Sequence, residues 1–204
     1  MEKALDKHGV ERALALLGEL LERRSDRCFN FVVCGGAALL VSELRRETTK
    51  DIDILALLTA NSTMEVCAEL PEVVRIAARD VAKEMGMARS WLNTGPSSML
   101  NPSMPDYGLP DGFIERLIEK RYGSKLRIHY IARKDQIFFK LYAAVDRCAP
   151  SYHLADLKTL EPSEDELLSA AIWAMRQDPS SGFEKTLMEM LEKVGYGSIA
   201  EKLG

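Results

Sequence analysis

The sequence lacks the features that mark exported, zinc-binding and membrane-spanning proteins. Its four cysteines form no Cys-x-x-Cys pair and have no histidine at zinc spacing; they are Cys28, Cys34, Cys67 and Cys148. We expect four buried, reduced thiols rather than disulfides or a zinc site. No apolar run approaches the roughly 20 residues needed to span a bilayer, and the first residues lack the apolar stretch of a signal peptide. These absences predict a cytoplasmic protein with no membrane partner.

A surplus of basic residues is also missing. The 204 residues hold 27 Lys+Arg against 31 Asp+Glu, which gives a formal net charge of −4. A protein that coats nucleic acid nonspecifically needs a large positive surplus to neutralise phosphates. That class of protein is therefore excluded, whereas a local basic pocket is not. With 204 residues, the chain is long enough for one domain with a core, or for a domain plus a small helical appendage, and too short for several domains.

What the sequence does contain is a clear succession of helical and strand patterns. Apolar spacing predicts helices at residues 3–24, 37–46, 64–86 (continuous or interrupted near Pro71), 112–121 and 133–147, strands at 29–34, 51–57 and 125–131, and a long loop over 92–112. Ser163 and Glu166 form a capping-box pattern that starts a further helix, and another helix is expected over 183–194. This order predicts an α/β (α+β) fold, with a mixed sheet flanked by helices and a helical C-terminal part.

Two short motifs carry the functional signal. Gly35 and Gly36 close a strand and open a helix, where backbone N–H groups can approach an anion without obstruction by a Cβ atom. Asp51 and Asp53 stand two residues apart at the start of the next strand, so their carboxylates point to the same side. Two like charges this close favour a bound cation, and paired carboxylates suit a Mg²⁺ that bridges to substrate phosphates. A phosphate-binding site beside a Mg²⁺-binding site is the minimum that nucleotidyl transfer requires.

Each motif alone has an ordinary explanation. A Gly-Gly after a strand is often a plain tight turn, and an Asp-x-Asp is often a solvated edge or a helix-capping pair. Their succession as strand, Gly-Gly, helix, Asp-x-Asp and strand is more specific and favours a functional site. Structural coincidence in an ordinary α/β domain is the competing explanation.

Both motifs resemble a known family signature. Residues 33–39 (VCGGAAL) and 49–55 (TKDIDIL) are similar to the signature of the nucleotidyltransferase fold, the DNA polymerase β superfamily. The branch with AbiEii-like toxins and related uncharacterised bacterial nucleotidyltransferases has later blocks that residues 91–93, 135–144 and 153–157 resemble. The resemblance implies that Gly35 and Gly36 cradle the nucleotide phosphates. It further implies that Asp51 and Asp53 hold Mg²⁺ as catalytic residues.

The later blocks add two residues and one departure from the family pattern. By resemblance, Lys140 contacts the triphosphate, and Asp156 is a candidate third acid or acceptor base. Catalytic members of the superfamily usually place a third carboxylate on a later strand, in line with the first two. The predicted strand at 125–131 offers Arg127 and His129 on one face and no acid, so Asp156 substitutes or the metal site is incomplete.

Three other observations leave alternatives open. Arg133, Lys140 and Arg147 are seven apart, so they form a helical stripe that either lines phosphates or solubilises an exposed face. Lys140 stands in an apolar run, where an unpaired ammonium would be costly. Trp91 either stacks on a base or anchors the loop, and His129 is more often a structural histidine than a base.

The resulting hypothesis divides the chain into an N-terminal helix at 1–24, a nucleotidyltransferase-like core at 25–132 and a helical part at 133–204 that completes the cleft. The resemblance implies a Mg²⁺-dependent enzyme that moves an NMP from an NTP to an RNA or protein hydroxyl. It also implies a toxin–antitoxin setting with a cognate antitoxin as partner. The alternative is a noncatalytic nucleotidyltransferase-like binding or regulatory protein with an incomplete metal site.

Overall fold

The computed structural model describes residues 4–44, 48–59, 61–146 and 152–203. Two residues singled out in the sequence, Arg147 and Cys148, lie outside these ranges. The chain divides into two units, of which the first ends at Ala132 and the second begins at Arg133.

Among its described residues, the first unit combines three α-helices with one mixed sheet of six strands. Its helices are α1 (Lys7–Arg24), α2 (Gly35–Val41) and α3 (Glu72–Met85). Its strands are β1 (Phe29–Cys34), β2 (Ile52–Leu58), β3 (Met64–Val66), β4 (Leu92–Asn93), β5 (Ile118–Arg121) and β6 (Leu126–Tyr130). Three short 3-10 segments fill the connections, at Gly95–Met99, Pro105–Gly108 and Ile114–Arg116.

The order of the strands places the C-terminal end of β1 beside the N-terminal end of β2. The sheet runs β3-β2-β1-β6-β5, and the short β4 pairs with β2 off this path. The β1–β2, β2–β3 and β5–β6 pairs are antiparallel, whereas β1–β6 and β2–β4 are parallel. Because β1 is central, five of its six residues are buried, as the continuous apolar run 29–34 predicts.

Amphipathic helices supply the other half of this unit's core. The apolar side chains of α1 recur every three or four residues and are fully buried, at Val10, Ala13, Leu14, Leu17 and Leu21. Helix α3 likewise buries a row of alanines and valines, and α1 contacts both α2 and α3. Burial of this apolar surface, at roughly 25 cal/mol per Å², is the main force that holds the unit together.

The second unit is entirely helical within the part of it that the structure describes. Its helices are α4 (Arg133–Asp146), α5 (Tyr152–Thr159), α6 (Glu164–Gln177), α7 (Ser181–Lys193) and α8 (Gly197–Leu203). Trp173 of α6 contacts the rings of three α4 residues, Phe138, Phe139 and Tyr142. Tyr142 in turn contacts Phe183 of α7, so one aromatic cluster joins three helices.

The α/β fold class predicted from the sequence is confirmed, while two helix predictions are wrong in part. Residues 64–66 form β3, and helix α3 begins only after Pro71, whose ring suits a helix start. The predicted helix at 112–121 is a 3-10 turn followed by β5. Pairing of β5 with β6 supplies backbone hydrogen bonds that override the local helical pattern.

The structure tests the expectations about buried thiols and about membrane-spanning segments. Cys34 and Cys67 are buried and form no disulfide, but Cys28 is exposed, so the expectation of four buried thiols is wrong for Cys28. Cys28 lies just before β1, outside the strand that buries its neighbours. Burial raises the pKa of the Cys67 thiol to about 11, which keeps it protonated and unreactive. In the described ranges, no helix has both the length and the apolarity required to cross a membrane.

The capping box predicted at Ser163 is present. The Ser163 hydroxyl accepts a hydrogen bond from the Glu166 backbone N–H, and the Glu166 carboxylate accepts one from the Ser163 backbone N–H. We expect Ser163→Ala to lower the free energy of unfolding by about 1 kcal/mol, measured by urea denaturation. Ser169→Ala is the matched control, because Ser169 lies inside the same helix and its hydroxyl only donates to the Asp165 carbonyl. An equal loss in both variants would contradict the capping role.

Candidate functional site

The junction of β1 and α2 brings a glycine against a carboxylate. Cys34 ends β1 opposite Asp53 in the antiparallel register with β2. Gly35 follows with φ of +69°, a conformation that favours glycine. A Cβ atom on Gly35 would lie 2.5 Å from Oδ2 of Asp53, so a larger residue would collide with this carboxylate. The glycine therefore provides the space in which the Asp53 carboxylate lies.

The two predicted acidic residues flank a core residue. Asp51 immediately precedes β2, and Asp53 is the second residue of this strand. Ile52 between them is fully buried, whereas both aspartates are half-buried. Since side chains alternate along an extended chain, the two carboxylates belong to the sheet face opposite to Ile52. The Thr49 hydroxyl donates to the Asp51 carbonyl at 3.0 Å and fixes the backbone before the strand.

Asn93 contacts Asp53, and the sequence patterns predicted no role for this asparagine. Asp53 and Asn93 are directly opposite in the parallel β2–β4 pair. The Asn93 Nδ2 group donates to Oδ1 of Asp53 at 3.0 Å. Its Oδ1 atom accepts from the Gly95 backbone N–H at 3.0 Å, an Asx turn. The Asn-Thr-Gly-Pro sequence signals this turn, but nothing in it signals the contact with Asp53.

The residues around Asn93 hold it firmly in place. Trp91 is fully buried, and its Nε1 group donates to the Ala78 carbonyl at 2.8 Å. Of the two interpretations of Trp91, the structure therefore supports the anchor. The Thr94 hydroxyl donates to the Ala68 carbonyl at 2.9 Å. Asn93 thus stands between two residues that are tied to the body of the unit.

Apart from β1, the strand that pairs with β2 at Asp53 is β4 and not β6. Since β6 pairs with the other edge of β1, Arg127 and His129 are separated from Asp53 by that strand. His129 faces Glu119 in the β5–β6 register, and burial lowers its pKa, which favours the neutral imidazole. In the β2–β4 pair, the position in register with Asp53 is Asn93, an amide.

The donor set fits a hard cation of the Mg²⁺ type. Two carboxylates supply only oxygen atoms, which Mg²⁺ prefers as ligands, and Mg²⁺ commonly takes one or two carboxylates plus substrate phosphates. The Asn93 amide is not a ligand in this arrangement, because its Oδ1 atom accepts from Gly95 and its Nδ2 group faces Asp53. Within the described residues, no group of three or more His, Cys, Asp or Glu side chains is arranged to hold a metal. The assignment of Asp51 and Asp53 as metal ligands therefore stays a prediction.

The two remaining predicted site residues contact each other in the second unit. The Lys140 ammonium on α4 lies 2.6 Å from Oδ2 of Asp156 on α5. Both side chains are largely buried, at 5% and 12% exposure respectively. Tyr152 places its ring 5.9 Å from the same ammonium, within reach of a cation–π interaction. Lys140 thus has the partner that its apolar surroundings require.

Arg133 has a structural role at the start of α4. Its guanidinium donates to the Leu160 carbonyl at 2.6 and 3.0 Å and to the Glu161 carbonyl at 2.9 Å. It also forms an ion pair of 2.6 Å with Glu166 and lowers the pKa of that carboxyl. These contacts bind α4 to the α5–α6 turn. For Arg133, the phosphate-lining interpretation of the basic stripe therefore has no support, and Arg147 lies outside the described residues.

Comparison with known proteins identifies the family. Residues 12–149 match the model of the family described as "Nucleotidyltransferase of unknown function (DUF6036)". The chain belongs to this family. The match spans the junction of Gly35 with Asp53, the Asn93 turn and helix α4. No curated protein and no solved structure matches the chain significantly.

Membership of the DUF6036 family confirms the nucleotidyltransferase resemblance at the level of the family. The finer resemblance to AbiEii-like toxins stays a prediction. The structure brings Gly35, Asp53 and Asn93 into contact and sets Asp51 beside them. The roles of these residues, and those predicted for Lys140 and Asp156, stay predictions that variants can test.

Proposed function

We propose that the protein is a Mg²⁺-dependent nucleotidyltransferase. It transfers an NMP from an NTP to an acceptor hydroxyl. The hydroxyl oxygen forms a bond to the α-phosphorus, the bond between the α-phosphorus and the oxygen that bridges it to the β-phosphate breaks, and pyrophosphate leaves. The observation that carries the proposal is the fit between Gly35, whose missing Cβ makes the space, and the Asp53 carboxylate that occupies it. The family match supports the same class of protein.

The side chains of this unit have the following proposed tasks. Asp51 and Asp53 hold Mg²⁺, which neutralises charge on the phosphates during transfer. Gly35 and Gly36 leave room for the triphosphate beside the carboxylates, because neither carries a side chain. Burial of Ile52 in the core keeps the flanking acids on the opposite face of the sheet.

Lys140 and Asp156 complete the proposal on the strength of the family resemblance alone. Lys140 is proposed to neutralise the phosphates, and Asp156 to act as third acid or to accept the proton of the hydroxyl. The acceptor is proposed to be the hydroxyl of an RNA end or a protein side chain, within a toxin–antitoxin pair. The net charge of −4 restricts any RNA contact to the site itself.

One observation favours a second candidate function. The position in register with Asp53 holds the amide of Asn93, and the carboxylate donors of the site number two among the described residues. A protein with this site that binds nucleotide without catalysis, as a regulatory or partner-binding module, is consistent with that donor set. The two candidates differ in whether nucleotide binding depends on the carboxylates.

Thermal unfolding with Mg²⁺ and each NTP separates the candidates. We expect at least one NTP with Mg²⁺ to raise the Tm of the wild-type protein, because a ligand that binds only the folded state stabilises it. Asp51→Ala and Asp53→Ala should each abolish this rise. Glu65→Ala is the matched control, since it removes an exposed acid of the same sheet at β3. A rise that survives both aspartate variants supports binding without metal chemistry, and no rise with any NTP contradicts nucleotide binding.

A further inference from the structure

Asn93 contributes to the site in a way that no family description assigns. Its register partner is Asp53, and its Nδ2 group donates to Oδ1 of that carboxylate at 3.0 Å. The second oxygen, Oδ2, lies on the side of Gly35. One oxygen of Asp53 is therefore held by an amide, and the other lies in the space that the glycine leaves.

The contact is built into the fold rather than made by a loose loop. Asn93 belongs to β4, with Trp91 anchored to the Ala78 carbonyl before it and Thr94 bonded to the Ala68 carbonyl after it. The Asn93 Oδ1 atom accepts from Gly95, which fixes the amide plane and directs Nδ2 toward Asp53. A side chain held at both ends in this way can hold its neighbour in one rotamer.

We propose that Asn93 is a positioning residue for Asp53, and that its neutrality limits the site to two carboxylates and one divalent cation. The proposal rests on the proposed function, because it assumes that Asp53 binds a metal. An amide orients a carboxylate without adding charge. A carboxylate at the same position would face Asp53 directly across the strands and would add a third anionic oxygen donor.

Two substitutions at this position are expected to act in opposite directions. Asn93→Ala removes the donor, so metal affinity should fall about 10-fold or more, as for other residues that orient metal ligands. Asn93→Asp puts two like charges opposite each other, so the metal-free protein should unfold at a lower temperature. The same variant should bind a divalent cation more tightly than the wild type, because affinity rises with the charge of the ligand set.

The experiment uses Mn²⁺ as the probe, because carboxylate sites accept it in place of Mg²⁺. Free Mn²⁺ is counted by electron paramagnetic resonance during titration of the full chain, without NTP, and thermal unfolding is followed with and without the ion. Asn30→Asp is the matched control. It makes the same change on β1, four residues before Cys34, which is about 13 Å along the strand at 3.3 Å per residue. This control should leave the Mn²⁺ affinity unchanged.

The outcomes separate this inference from the proposed function. Weaker binding in Asn93→Ala and tighter binding in Asn93→Asp support both. If the wild type binds Mn²⁺, Asp53→Ala does not, and both Asn93 variants bind it as the wild type does, the positioning role of Asn93 is overturned and the proposed function is not. Binding that appears only in Asn93→Asp supports the geometry at Asn93 and contradicts metal binding by the natural site. Absence of binding in wild type and Asn93→Asp alike overturns both.

Discussion

Gly35→Ala is expected to lower nucleotidyl transfer about 100-fold or more, because small displacements of groups at a reacting centre have effects of this size. The added Cβ would lie 2.5 Å from Oδ2 of Asp53, closer than such contacts allow, so the carboxylate must move. The residue also keeps a φ of +69°, which costs an L-residue about 1–2 kcal/mol. The measurements are the rate of label transfer from an NTP and the affinity for Mn²⁺.

Gly86→Ala separates backbone strain from displacement of Asp53. Gly86 ends α3 with a φ of +67°, nearly the value at Gly35, but a Cβ there meets nothing within 4 Å. This variant should lose about the same 1–2 kcal/mol of stability and keep full transfer activity and metal affinity. If Gly35→Ala keeps its activity, or if Gly86→Ala loses as much, the contact of Gly35 with Asp53 has no functional role.

Disruption of the Lys140–Asp156 pair has the largest expected effect on stability. Each single variant, Lys140→Met or Asp156→Asn, is expected to lower the free energy of unfolding by about 3 kcal/mol, since loss of one partner leaves a charge with poor solvation. The side chains are only 5% and 12% exposed, so water replaces the lost partner poorly. The double variant should lose clearly less than the sum of the two single changes. Urea denaturation at pH 7 measures all four proteins.

One control variant and one further measurement show what the Lys140–Asp156 pair does. Lys202→Met breaks an ion pair of 3.5 Å with Glu164 in the same unit, where both side chains are more than half exposed. Its effect on stability should be much smaller, because solvent screens exposed pairs. Additive losses in the Lys140 and Asp156 variants would contradict a coupled pair. Loss of the NTP-dependent rise in Tm, without loss of stability, would instead support the predicted contact of Lys140 with the triphosphate.

Local sequence was sufficient for the parts of the site whose residues are close in the chain. Gly35 opens helix α2 and Asp53 lies on the next strand, and the strand patterns on either side of this helix predict their approach. The capping box at Ser163 is likewise local, because its two hydrogen bonds join residues three apart. In such cases, the periods of strand and helix indicate which residues come together.

Sequence patterns do not predict contacts between residues that are distant in the chain. Asn93 reaches Asp53 across 40 residues, through a two-residue strand whose pairing no periodicity signals. The sequence predicts a helix at Ile118–Arg121 but the structure has a strand, because the pairing with β6 depends on tertiary contacts. The apolar run around Lys140 indicated that its ammonium needs a partner, and the structure supplies Asp156 from another helix.

Label transfer from NTPs tests the central claim most directly. Wild-type protein is incubated with Mg²⁺ and each α-³²P-labelled NTP, together with total RNA or cell lysate, and compared with Asp53→Asn and with Glu65→Gln as control. The account predicts covalent label on RNA or protein from wild type and control, and at least a 100-fold lower rate from Asp53→Asn, which keeps the shape of the side chain and removes its charge. Equal labelling by Asp53→Asn, or no labelling by the wild type from any of the NTPs, would contradict it.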